Sequence, residues 1–131
     1  MKKIILLTFL CFASAQIICA QSSTEKNKIM PALRHVVMFK FVDKATPAEI
    51  KKMEEAFRAL PSKIDLIKDF EWGVNNSPEK LNQGLTHCFF LTFSSEKDRD
   101  AYLIHPAHKA FTDIAGPSID KVTVLDYWMH K

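Results

Sequence analysis

Leu33-Arg34-His35-Val36-Val37-Met38-Phe39-Lys40-Phe41 is followed, five residues on, by Thr46-Pro47-Ala48-Glu49. The first stretch alternates with period two: His35, Val37, Phe39 and Phe41 fall on one face, Arg34, Val36, Met38 and Lys40 on the other. That is the signature of a β-strand. The second stretch opens a helix. Thr supplies the cap, Pro suits the first helical position, and Glu three residues after the cap completes a capping box. Ile50, Met53, Phe57 and Leu60 continue at helical spacing, and Pro61 stops the run.

The pattern then repeats in kind. Asp69 to Asn75 alternates Phe70, Trp72 and Val74 against Asp69, Glu71 and Gly73. A polar loop carrying Asn75-Asn76-Ser77-Pro78 and Asn82-Gln83-Gly84 follows. Thr86 to Phe93 reads as a third strand, with His87, Phe89, Leu91 and Phe93 on one face. Ser95 and Asp98 suggest a second capping box, opening a helix through Tyr102 and Leu103; Pro106 begins another helical stretch that Gly116-Pro117 ends. Lys121 to Trp128 is the last strand. The order β-α-β-β-α-β is the ferredoxin-like plan of the α+β class.

Two helical layers' worth of chain covers only one face of four strands. The other face would set Val36, Met38, Cys88 and Phe90 side by side, more apolar surface than suits a lone protomer. A homodimer packed sheet against sheet, a dimeric α+β barrel, would bury it.

The chain has 131 residues, 47% apolar and 25% charged, which is globular composition sized for one domain. Lys2-Lys3, a short apolar core from Ile4 to Phe12, and small residues around Ala13-Ser14-Ala15 and Ala20 make the three parts of a secretory signal. We read residues 1–20 as that signal, 21–32 as a flexible spacer and 33–129 as the folded domain of an exported, periplasmic or secreted protein. Cleavage after Ala15 is the alternative. Acylation of Cys19 is disfavoured by Ile18 before it, and the apolar core is too short for a membrane span. Beyond residue 20 the charge nearly balances, so no general attraction to nucleic acid is expected. Three glycines, none at phosphate-cradling spacing, exclude a P-loop or a GxGxxG dinucleotide site. Only Cys88 remains after Ala20, so neither an internal disulfide nor a cysteine zinc site is expected.

Histidines supply the candidate chemistry. His35 opens the first strand and His87 the third. Taken as parallel neighbours, those strands would bring the two imidazoles together at one end of the sheet. His108 lies three residues before Phe111 and so on its side of the helix; Tyr102 closes the preceding helix. A pocket between sheet and helices would then hold His35, His87, Tyr102 and His108 as acid–base groups. Val37, Phe39, Met53, Phe57, Phe89 and Phe111 would be apolar walls for a small hydrophobic or aromatic ligand. Tyrosine can donate to a developing oxyanion. The plain alternative is that each histidine merely satisfies a neighbour. Three imidazoles could also ligate a metal, but no dedicated spacing such as HExxH is present.

Arg34 to Phe41, Phe70-Glu71-Trp72-Gly73, Thr86-His87 leading into Phe89 to Phe93, and Tyr102-Leu103-Ile104-His105-Pro106-Ala107-His108 together resemble the stress-responsive A/B barrel (Dabb) family. The resemblance implies a ferredoxin-like protomer forming a dimeric barrel. One plant member is a polyketide cyclase working without a cofactor. By resemblance its site falls on His108 as general base, Tyr102 as its partner and oxyanion donor, and His35 and His87 as orienting groups. Expected functions are thus a cofactor-independent cyclase, isomerase or lyase acting on a small carbonyl compound, or a non-catalytic stress-related binding or structural dimer. A metal-dependent oxygenase of the wider superfamily is a third class. Intact-mass analysis of the exported protein should show a chain beginning at Gln21; a chain recovered still beginning at Met1 would contradict the export reading.

Overall fold

The computed structural model describes residues 32–130; the leader and all but the last residue of the spacer lie outside them. β1 (Leu33–Phe41), α1 (Pro47–Arg58), β2 (Asp69–Val74), β3 (His87–Phe93), α2 (Glu96–Leu103), α3 (Pro106–Ala115), a short 3-10 turn and β4 (Ile119–Trp128) follow in order. The fold is the ferredoxin-like α+β plan: a four-stranded sheet ordered β2-β3-β1-β4 with the helices on one face. Thr46 caps α1 with the reciprocal box, its side chain accepting from the Glu49 amide while Glu49 accepts from the Thr46 amide. At α2 only half of the expected box forms: Ser95 accepts from the Asp98 amide. β4 begins two residues earlier than its apolar run suggests, and Ala32 already bonds Met129.

One expectation is corrected. β1 and β3 are antiparallel, not parallel. The crossover through α1 brings β2 back along the direction of β1, and the loop from β2 then reverses the chain into β3, which lies between them. The register sets His35 opposite Leu91, and His87 opposite Phe39. The two imidazoles therefore sit four positions apart along the sheet, about 13 Å at the usual strand rise.

Apolar alternation on β1 and β3 drives the core. Phe57 of α1 stacks on Phe89 with ring centroids 4.1 Å apart and meets Phe111 of α3 edge-on at 4.7 Å. Each such buried ring contributes about 1.5–3 kcal/mol of hydrophobic stabilisation. The helices reach across β2, β3 and β1 but not over β4, where the inward-facing Val122 and Val124 stay 49% and 51% exposed. On the opposite face Val36 lies between Phe90 and Leu125, and Met38 between Cys88 and Thr123. That face adds Leu125 and Tyr127, 56% and 41% exposed, to the apolar set expected from sequence. No helix among the described residues is long and apolar enough to cross a membrane.

Candidate functional site

The uncovered strip of β4 opens into a cavity of about 610 Å3 between β1, β4 and the two C-terminal helices. His35, Tyr102 and His108 line it, with Val37, Phe39, Phe57 and Phe111 as apolar walls. Met53 and Phe89, expected as walls, are packed into the core behind it.

α3 begins within the His-Pro-Ala-His segment, and the two histidines divide the work. His105 is the cap, its Nδ1 accepting from the Ala107 amide at 3.1 Å, and Pro106 takes the first helical position. His108, one turn in, lies against Tyr102 with ring centroids 4.4 Å apart. Its Nδ1 is 3.0 Å from the Leu103 carbonyl. A carbonyl only accepts, so Nδ1 carries the proton and Nε2 of the neutral ring keeps a free lone pair. Burial holds the His108 imidazolium below its ordinary range, against the Leu103 carbonyl, which favours it; His35 and His105 nearby add to the lowering.

Tyr102 is fully buried. Its ring is fixed by Phe93 at 5.1 Å and by the edge of His35 at 5.8 Å. Its hydroxyl has no hydrogen-bond partner. Burial pushes the phenol well above its usual range, so it stays protonated and is a donor. An unpaired buried hydroxyl costs about 1–3 kcal/mol, and here it belongs to a cavity-lining residue whose ring packs against two imidazoles.

His35 is held differently. Its Nδ1 lies 2.6 Å from Asp126 Oδ1, across the β1–β4 register that sets the two residues opposite each other. A carboxylate accepts, so the His35 Nδ1 carries a proton, and in the neutral ring Nε2 is the remaining acceptor. Asp126 was not among the residues expected from sequence. Its signal was present: it is an acid at the same alternation as Val122, Val124 and Trp128 of β4.

His87 is absent from this group. Its Nε2 bonds Glu54 of α1 at 2.9 Å, its Nδ1 bonds Thr86 at 2.9 Å, and its ring packs edge-on against Phe41. Both nitrogens are occupied, and the contacts tie β3 to α1. Among the described residues no three His, Cys, Asp or Glu side chains are placed to hold a metal ion. A second cavity of about 570 Å3 lies on the open face of the sheet, between Met38, Cys88 and Thr123 and the loop around Leu81. Burial raises the Cys88 thiol above its ordinary range, so it is a poor nucleophile there.

Because the Tyr102 hydroxyl has no partner, Tyr102→Phe should leave thermal stability unchanged or raise it. A loss of more than about 1 kcal/mol in denaturant unfolding would show that the hydroxyl is bonded in the folded state.

Residues 33–129 match the stress responsive A/B barrel domain (Dabb). The stress-response A/B barrel domain-containing protein HS1 of Arabidopsis thaliana is 39% identical over 95 residues, covering 72% of this chain and 87% of that protein. Olivetolic acid cyclase of Cannabis sativa is 31% identical over 100 residues, covering 76% and 99%. The crystal structure of a dimeric protein of unknown function and ferredoxin-like fold from Bacteroides fragilis superposes with a TM-score of 0.63 at 26% identity, covering 75% of this chain and 96% of that one. With its domain, its fold and its relatives in agreement, the chain belongs to the stress-responsive A/B barrel (Dabb) family.

Proposed function

We propose that the protein binds a small, largely apolar carbonyl compound and moves a proton on the carbon beside that carbonyl, as a cofactor-independent cyclase, isomerase or lyase does. The observation that carries this reading is the unpartnered hydroxyl of Tyr102, a buried residue of the same cavity lining as two imidazoles. A carbonyl oxygen seated there accepts the Tyr102 proton as a hydrogen bond and is stabilised as negative charge develops on it. His108, neutral and anchored through Nδ1, takes the proton from the adjacent carbon with Nε2. His35, oriented by Asp126, offers a second acceptor. The aromatic and aliphatic walls fit an aryl or alkyl body. Kinship with a cyclase supports a small-molecule role. The open flank along Val122 and Val124 favours the alternative of binding without turnover, since it admits water.

Ketones selected by thermal shift, incubated in D2O, separate the two. Hydrogen–deuterium exchange beside the carbonyl should be accelerated, and His108→Ala should lower the rate at least about a hundredfold with binding retained. Bound ketones whose exchange is no faster with protein than without would leave a binding protein only.

Residues 1–20 and the open sheet face extend the reading to an exported homodimer. Val36, Met38, Phe90, Leu125 and Tyr127 would meet their counterparts on a second copy, an arrangement supported by the dimeric Bacteroides fragilis protein. Light scattering should give twice the protomer mass, and Leu125→Asp should give a monomer; a monomeric wild-type chain at about 10 μM would contradict the assembly.

A further inference from the structure

Arg99 sits on α2 one turn before Tyr102 and reaches across to β4. Its Nη1 donates to Asp126 Oδ2 at 2.8 Å, while the other oxygen of the same carboxylate takes His35. Its Nε donates to Asp100 Oδ1 at 2.9 Å. The Arg99 side chain is only 19% exposed, unlike an ordinary surface cation. We infer that Arg99 is a positioning residue for this site: it occupies the second oxygen of Asp126, so that His35 is oriented by a carboxylate whose charge is already partly offset, and it ties the helix that carries Tyr102 to the strand that carries Asp126.

The electrostatic half of this follows from who faces His35. β4 offers Asp126; α2 offers Tyr102 and, through Asp126, Arg99; α3 offers His108 with His105 beyond it. β3 contributes Leu91 and Phe93, which do not titrate. Asp126 is thus the only carboxylate touching the ring, and Arg99 is the only cation touching Asp126 among the described residues. A bare carboxylate beside an imidazole favours its protonated form; one shared with a guanidinium favours it less. A His35 that stays neutral keeps its Nε2 as an acceptor toward the cavity. The mechanical half follows from the sparse anchoring of α2. Tyr102 is its only buried side chain, and beyond the packing of that ring two side-chain bonds tie α2 to β4: Arg99 to Asp126, and the Trp128 Nε1 donation to Glu96 at 3.2 Å.

The inference rests on the site assigned above, but its test needs no turnover. Histidine ring signals are followed by 15N NMR across pH in the wild type, Arg99→Gln and Arg99→Lys. In Arg99→Gln the midpoint at which His35 takes its second ring proton should rise by about half a pH unit or more, the sign expected when a neighbouring cation is removed. Arg99→Lys should restore most of the difference. His87, bonded to Glu54 and remote from Arg99, is the internal control and should not move. An unmoved His35 midpoint in a folded Arg99→Gln protein overturns the inference. If Gln prevents folding, Arg99→Met, which keeps the packed stem, is read in the same way. Failure to exchange any ketone proton would sink the catalytic reading and leave this titration result standing.

Discussion

The antiparallel register of β1 against β4 is the constraint on which the site depends. It places Asp126 opposite His35, Val124 opposite Val37 and Val122 opposite Phe39. Three consecutive inward-facing pairs thus form a strip with a polar end and an apolar run. The helices pack on β1, β2 and β3, where Phe57, Phe89 and Phe111 interlock, and stop short of this strip. A cavity remains because the sheet is one strand wider than its cover. Its polar end meets the junction of α2 and α3, where Tyr102 and His108 arrive together.

That junction explains the use of two short helices rather than one. Ile104 ends α2, and His105 caps α3 with its own ring. The break frees the Leu103 carbonyl from helical bonding, and His108 takes it. One interrupted helix therefore delivers both the donor and the base, and fixes the tautomer of the base. The hydroxyl that this geometry leaves unpaired is a local cost of the kind that folded proteins carry at functional sites.

Much of the layout was legible in the residues. Alternation and capping placed every strand and helix to within a few positions, and helical spacing put His108 on the side of Phe111. The pairing of His35 with His87 failed because strand direction, unlike strand existence, is not written in alternation. It follows from topology: a strand inserted between β1 and β2 after a reversal must run against both. Asp126 was missed for a related reason: no register of β4 against β1 was read from the sequence. With the antiparallel register in hand, an acid on the inward face of β4 opposite an inward histidine on β1 is a site residue on sight. Met53 and Phe89 were assigned to the right face, but contiguity on a face does not distinguish a wall from the layer behind it.

The two faces of the sheet carry different tasks. The inner face holds titratable groups and the cavity; the outer face holds Val36, Phe90 and Leu125 in a layer with Arg34 lying over the Phe90 ring at 5.2 Å. The most direct measurement of the central claim is a crystal structure with an aromatic ketone bound. The carbonyl oxygen should lie at hydrogen-bond distance, about 2.6–3.0 Å, from Tyr102 Oη, with His108 Nε2 facing the neighbouring carbon. A ketone found only in the cavity beneath Leu81, with Tyr102 bonded to a fixed internal water, would contradict it.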